Sequence, residues 1–139
     1  MSKVWPAELP VAQVRIARPT AKLQELEYFY CEGIGLQKLG SFENHNGYDG
    51  LMIGLPGYSY HLEFTQHKAG SPCPAPSKDN LLVLYIPDRE SIKRITNRLL
   101  NLGYPEVPPE NPYWQTKHAV TVEDPDGWRV VLMPAAGIN

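Results

Sequence analysis

Residues 12–66 and 80–134 of this 139-residue chain repeat one pattern at a fixed offset of 68 positions. Pro19 falls on Pro87, Thr20 on Asp88, Gly35 on Gly103 and Leu36 on Tyr104, and the turn Pro56-Gly57 meets the turn Pro125-Asp126-Gly127. Self-similarity at a fixed period constrains a fold more than local propensity does, because each copy must be one supersecondary unit. The same offset sets Arg15 on Val83, His61 on Arg129 and Glu63 on Val131. The second copy has thus lost polar groups that the first retains, and chemistry is expected from the first.

Each copy reads as strand, helix and three strands. In the first, residues 12–18 alternate in character and are partly β-branched, as a strand requires. Pro19-Thr20 ends that strand, with Thr20 the expected N-cap of the helix after it. Leu23, Leu26, Phe29 and Tyr30 recur at helical spacing opposite Glu25, Glu27 and Glu32, and the helix is expected to stop near Gly33. Apolar runs over 36–42, 48–55 and 60–66 come next, parted by Asn44-His45-Asn46-Gly47 and by Pro56-Gly57. The linker, residues 67–79, carries Pro72, Pro74 and Pro76.

In the second copy, residues 81–86 suit a buried strand, and Asp88 caps a helix that turns Ile92, Ile95, Leu99 and Leu102 inward before Gly103. Pro105, Pro108, Pro109 and Pro112 spoil the next strand, since proline cannot donate to a central ladder. Residues 118–123 and 128–133 complete the copy. Neither copy has enough surface to bury its own sheet. The two are expected to pack around a common core as a single domain over 1–139.

Composition narrows the partners. A net charge of −2 with scattered Lys and Arg excludes a nucleic-acid groove or an anionic membrane surface, and Lys93-Arg94 reads as a solvated helix face. No window approaches membrane-spanning length and residues 1–10 carry no signal-peptide core, so a cytoplasmic protein is expected. Cys31 and Cys73 are not in a C-x-x-C and are expected as free thiols. Trp5 is expected to tack down the N-terminal arm or to meet a second subunit.

The paired modules, Phe29-Tyr30 followed by Gly35-Leu36, the run Tyr60-His61-Leu62-Glu63-Phe64 and the turn Asp124-Pro125-Asp126-Gly127 together resemble the vicinal oxygen chelate superfamily of glyoxalase I, bleomycin-resistance proteins and extradiol dioxygenases. The resemblance spans nearly the whole chain. It implies an α+β fold in which two tandem βαβββ modules form a curved mixed sheet around a central cavity, and a homodimer. Enzymes of that superfamily hold a divalent metal at four inward positions, which correspond here to Arg15, Glu63, Val83 and Val131. Valine cannot coordinate a cation and arginine repels one, so the patterned metal site is absent.

These residues support two readings of function. In the first, the chain binds a small organic molecule in a metal-free cavity, with no cofactor. An ion pair between Arg15 and Glu63 stands where relatives hold metal, Arg15 supplies charge and Trp114 a stacking surface. In the second, it is a metal-dependent lyase, isomerase or dioxygenase with a rearranged site. There His61 and Glu63, at the i, i+2 spacing of one strand face, are the catalytic candidates, joined by His45 or His118. Gly54-Leu55-Pro56-Gly57 is a hairpin turn and no phosphate cradle, because no helix follows it.

Overall fold

The computed structural model describes residues 7–138; Trp5 lies outside the described residues. β1 (Val14–Pro19) leads into α1 (Leu23–Glu27), which runs on as a π-helical stretch over Tyr28–Ile34. Thr20 does not hold the N-cap position expected of it. Lys22 does, while Thr20 Oγ1 accepts from the Lys22 N–H at 2.9 Å and donates to Asp126 Oδ2 at 2.7 Å. The first turn draws a partner from across the sheet instead, the Leu23 N–H donating to the Gln66 side chain at 2.9 Å. Gly35, at φ 104°, closes the helix in the left-handed conformation that glycine reaches without strain.

β2 (Gln37–His45), β3 (Tyr48–Gly54) and β4 (Tyr60–His67) complete the first sheet in the order β1-β4-β3-β2, with β1 parallel to β4 and the other pairs antiparallel. The second half contributes β5 (Leu81–Tyr85), α2 (Arg89–Asn101), a short α3 (Pro112–Thr116), β6 (Val120–Glu123) and β7 (Arg129–Met133). Its sheet has the order β5-β7-β6, the same order with the outer strand missing. What remains of that strand is one bridge between Glu106 and Val122, within the proline-rich stretch that cannot sustain a ladder.

The curved mixed sheet around a central cavity does not form. Among the described residues the strands divide into two open sheets, of four and of three strands, and no ladder joins them. β1 and β5 stand at the ends of their sheets, bonded only to β4 and to β7, so nothing fuses the halves through backbone pairing.

Side chains on one face do join them. Leu26, Phe29, Leu62 and Phe64 of the first half and Leu99, Val130 and Leu132 of the second belong to one buried cluster. Gly33 lies so close to α2 that a Cβ there would strike Leu99 Cδ2. Arg98 of α2 donates to the carbonyls of Gly33 and Ile34 at 2.8 and 3.0 Å, capping the end of the first helix from the other half. Strand alternation sends the neighbours of those core residues to the opposite faces: Arg15, Ala17, His61 and Glu63 in the first sheet, Thr121, Arg129 and Val131 in the second. Among the described residues no helix is long and apolar enough to cross a membrane.

Candidate functional site

β1 and β4 run parallel with Arg15 opposite His61 and Ala17 opposite Glu63, so these four side chains share one face. Arg15 Nε donates to His61 Nε2 at 2.9 Å, and Arg15 Nη1 donates to Glu63 Oε2 at 3.3 Å. A nitrogen that accepts carries no proton, so His61 bears its hydrogen on Nδ1, which is buried without a partner. The Arg15 side chain remains 49% exposed, against 13% for Glu63. Gly50 and Gly54 of β3 lie on the same face, where the Phe42 ring crosses Gly50 and Leu39 approaches Gly54. The result is a low apolar surround with one cation standing up from it.

The remaining candidates do not join this cluster. His45 is exposed and pairs with Tyr48, whereas Glu63 faces Met52. Those β3 positions are four residues apart, about 13 Å along a strand. His118 is exposed at φ 59° beside Gln115, in a depression formed by the segment after α2. Trp114 lies on α3, half-buried, its Nε1 enclosed without a partner.

The donor set does not fit a divalent metal. Arg15, Val83 and Val131 offer no lone pair, His61 Nε2 is occupied by the Arg15 donor, and Glu63 is ion-paired. Among the described residues no three His, Cys, Asp or Glu side chains gather as metal ligands.

A second polar centre escaped the sequence reading. Asp124 is fully buried and accepts from Arg18 Nη2 at 2.6 Å, from the Tyr30 hydroxyl at 2.8 Å, and through Oδ1 from the backbone N–H groups of Asp126 and Trp128. Arg18 also stands 3.5 Å from Asp126 and lies over the rings of Phe64 and Trp128, at 4.9 and 4.7 Å. Burial, then the Asp124 charge, push the Tyr30 hydroxyl well above its ordinary range. The Cys31 thiol is also raised, by burial and by Glu27 and Glu32, which makes it a poor nucleophile. The signal for the Asp124 centre was in the sequence: an Asp-x-Asp-Gly turn turns one carboxylate onto its own backbone, and Arg18 is a cation near the end of the first strand, four residues before the helix cap.

Beside Arg18 a groove of about 410 Å³ runs between the two sheets. Its walls include Ile16 and Leu62 from the first half, Leu82 and Trp128 from the second, and Cys73 from the linker.

Models of the YycE-like N-terminal domain and the YycE-like C-terminal domain match residues 14–65 and 79–134. The uncharacterized protein YycE of Bacillus subtilis strain 168 is 54% identical over 128 residues, 92% of this chain and 91% of that protein. A crystal structure of a B. subtilis YycE protein superposes with a TM-score of 0.90 at 51% identity, covering 99% of this chain and 98% of that one. Glyoxalase I of Leishmania major (TM-score 0.67, 16% identity, 86% and 83% covered) and the antibiotic-binding protein TnmS3 from Streptomyces sp. CB03234 (0.61, 21%, 86% and 91%) share the fold.

Proposed function

The chain belongs to the YycE-like family of the vicinal oxygen chelate superfamily, and on that premise we propose that it binds a small organic anion without a metal, through the Arg15 face of its first sheet. The observation that carries this reading is the Arg15–His61–Glu63 cluster. A guanidinium fixed at the strand position where the superfamily resemblance implies a metal ligand supplies positive charge directly. Its Nε and Nη1 hold His61 and Glu63, and its exposed edge is free to pair with a carboxylate or phosphonate. His61 and Glu63 then act as positioning residues, fixing the fork. That one protein of this fold is an antibiotic-binding protein supports small-molecule binding as a use of the scaffold.

Two measurements test the reading together. Elemental analysis after dialysis against mixed divalent metals and then metal-free buffer is expected to find no retained ion. A thermal-shift series with organic carboxylates and phosphonates is expected to find stabilising ligands whose effect vanishes in Arg15→Ala. Near-stoichiometric metal that is lost with His61→Ala, or ligands indifferent to Arg15, would overturn it.

A further inference from the structure

We infer a second binding site, separate from the Arg15 face: the groove between the two sheets takes a neutral, flat, largely apolar molecule that carries a carbonyl acceptor. The groove touches four consecutive residues of β1, from Ile16 to Pro19, and Asn80 with the first two residues of β5, Leu81 and Leu82. Consecutive strand residues point to opposite faces, so a cavity that meets all of them runs along strand edges. These are the unpaired edges of both sheets.

Edge geometry supplies hydrogen-bonding groups there. Val14 and Thr20 donate their N–H groups to Ser59 and Thr65 of the neighbouring β4 segment. By alternation the N–H and C=O of Ala17 point the other way, into the groove. On the opposite wall Ile86 donates to Met133, which by the same rule turns the backbone groups of Leu81 outward from β7. Inside the wall, Arg18 Nη1 is buried with Asp126 Oδ2 at 3.5 Å as its ion-pair partner and makes no hydrogen bond within the described residues. A bound carbonyl oxygen would accept from the Ala17 N–H, which an empty groove leaves to solvent.

Charge and shape then select the ligand. Two cations line the groove, Arg18 and Arg129; Asp124 and Asp126 outweigh the first and Glu123 pairs the second at 3.0 Å, so an anion gains little here. Tyr30, Phe64 and Trp128 contribute aromatic carbon to the walls, and Ile16, Leu62 and Leu82 aliphatic carbon. The volume of about 410 Å³ falls in the range of small-molecule sites, roughly 300–1,000 Å³.

Nile red, a neutral flat dye with one ring carbonyl, tests the inference by fluorescence titration of the full chain. The expected result is saturable enhancement at one dye per chain. Ile16→Trp places a ring across the groove mouth from a residue that is 55% exposed, and should weaken binding about tenfold or more. Ala17→Pro removes an edge N–H that no ladder uses and should weaken it about threefold or more. Arg15→Ala should leave it unchanged, which separates this site from the anion reading whatever the fate of that reading. Non-saturable enhancement, binding undiminished from that of the unsubstituted chain in both groove variants that remain folded, or loss of binding in Arg15→Ala would overturn the inference.

Discussion

The two halves of the molecule use one topology and treat the face away from the helices in opposite ways. In the first half that face stays open around a half-exposed Arg15. In the second half the corresponding face is closed: Val131, at the repeat position of Glu63, is fully buried, and Thr121 is nearly so. Arg129 and His61, at equivalent repeat positions, are both buried, and Arg129 is held by the second half's own segment, donating to Glu123 at 3.0 Å and to the Pro108 carbonyl at 2.8 Å. The segment that lost its strand to proline thus lies against the face its strand would have bordered. Duplication supplied two equivalent surfaces, and one of them was converted into interior. Position in a repeat therefore predicts backbone and says little about environment.

Exchanging residues between the halves is the strongest way to break this comparison. Val131→Glu puts an unpaired carboxylate into a sealed face and should cost roughly 5 kcal/mol, near the whole stability of a small domain, with no folded protein recovered. The reverse exchange, Glu63→Val, should cost about 1 kcal/mol or less in urea unfolding, because the partner it leaves is half-exposed. Equal costs for the two would show that the faces are not differently sealed.

Next in size is the polar contact that crosses between the halves. Asp124→Ala leaves Arg18 buried without its nearest carboxylate and should lose about 3–5 kcal/mol by chemical denaturation. Tyr30→Phe removes one donor to that carboxylate and should lose about 2 kcal/mol. Folded Tyr30 keeps its proton above the pH at which the unfolded chain releases it, near 10.0. The associated stability is complete below that pH and declines as pH rises through the interval up to the raised folded value. Tyr30→Phe should flatten this alkaline loss, measured as unfolding midpoint against pH from 9 upward (about 9–11 in practice).

The smallest effect belongs to the helix cap of the second half. Asp88 accepts from the Glu90 N–H at 3.0 Å and from the Ser91 hydroxyl at 2.7 Å, and those bonds hold its carboxyl below the usual range. The cap is present above the ordinary carboxylate range and is lost as pH falls through the depressed value. Asp88→Ala should lower the thermal midpoint slightly at neutral pH and leave it unchanged in strong acid. Thr20, the repeat equivalent, does not cap its helix in this way, so Thr20→Ala should instead act through the lost bond to Asp126.

Much of the backbone was legible because apolar periodicity and Gly-Pro punctuation are local. The strands from Tyr48, Tyr60 and Leu81 and the Asp88 cap follow from residues near in sequence, and the Arg15–Glu63 pair from the positions that the superfamily resemblance implies. The failures depended on relations between distant segments. Whether two edge strands pair is not written in either one, so the separation of the sheets at β1 and β5 could not be read. Sheet order likewise decided that His45 lies far along β3 from Glu63. α3 was within reach: Asn111 followed by Pro112 is an N-cap with proline at the first helical position, and Asn111 Oδ1 does accept from the Tyr113 N–H.

Arg98 gives the repeat an order in time. The first helix ends at Ile34 with carbonyls that the side chain of residue 98 satisfies, more than sixty positions later in the chain. A ribosome that has released only the first half has made a helix whose terminus still waits for its cap, and a core face that waits for Leu99. The early copy therefore matures only when the late one arrives, and a gene cut at the linker would yield a first half without its closure.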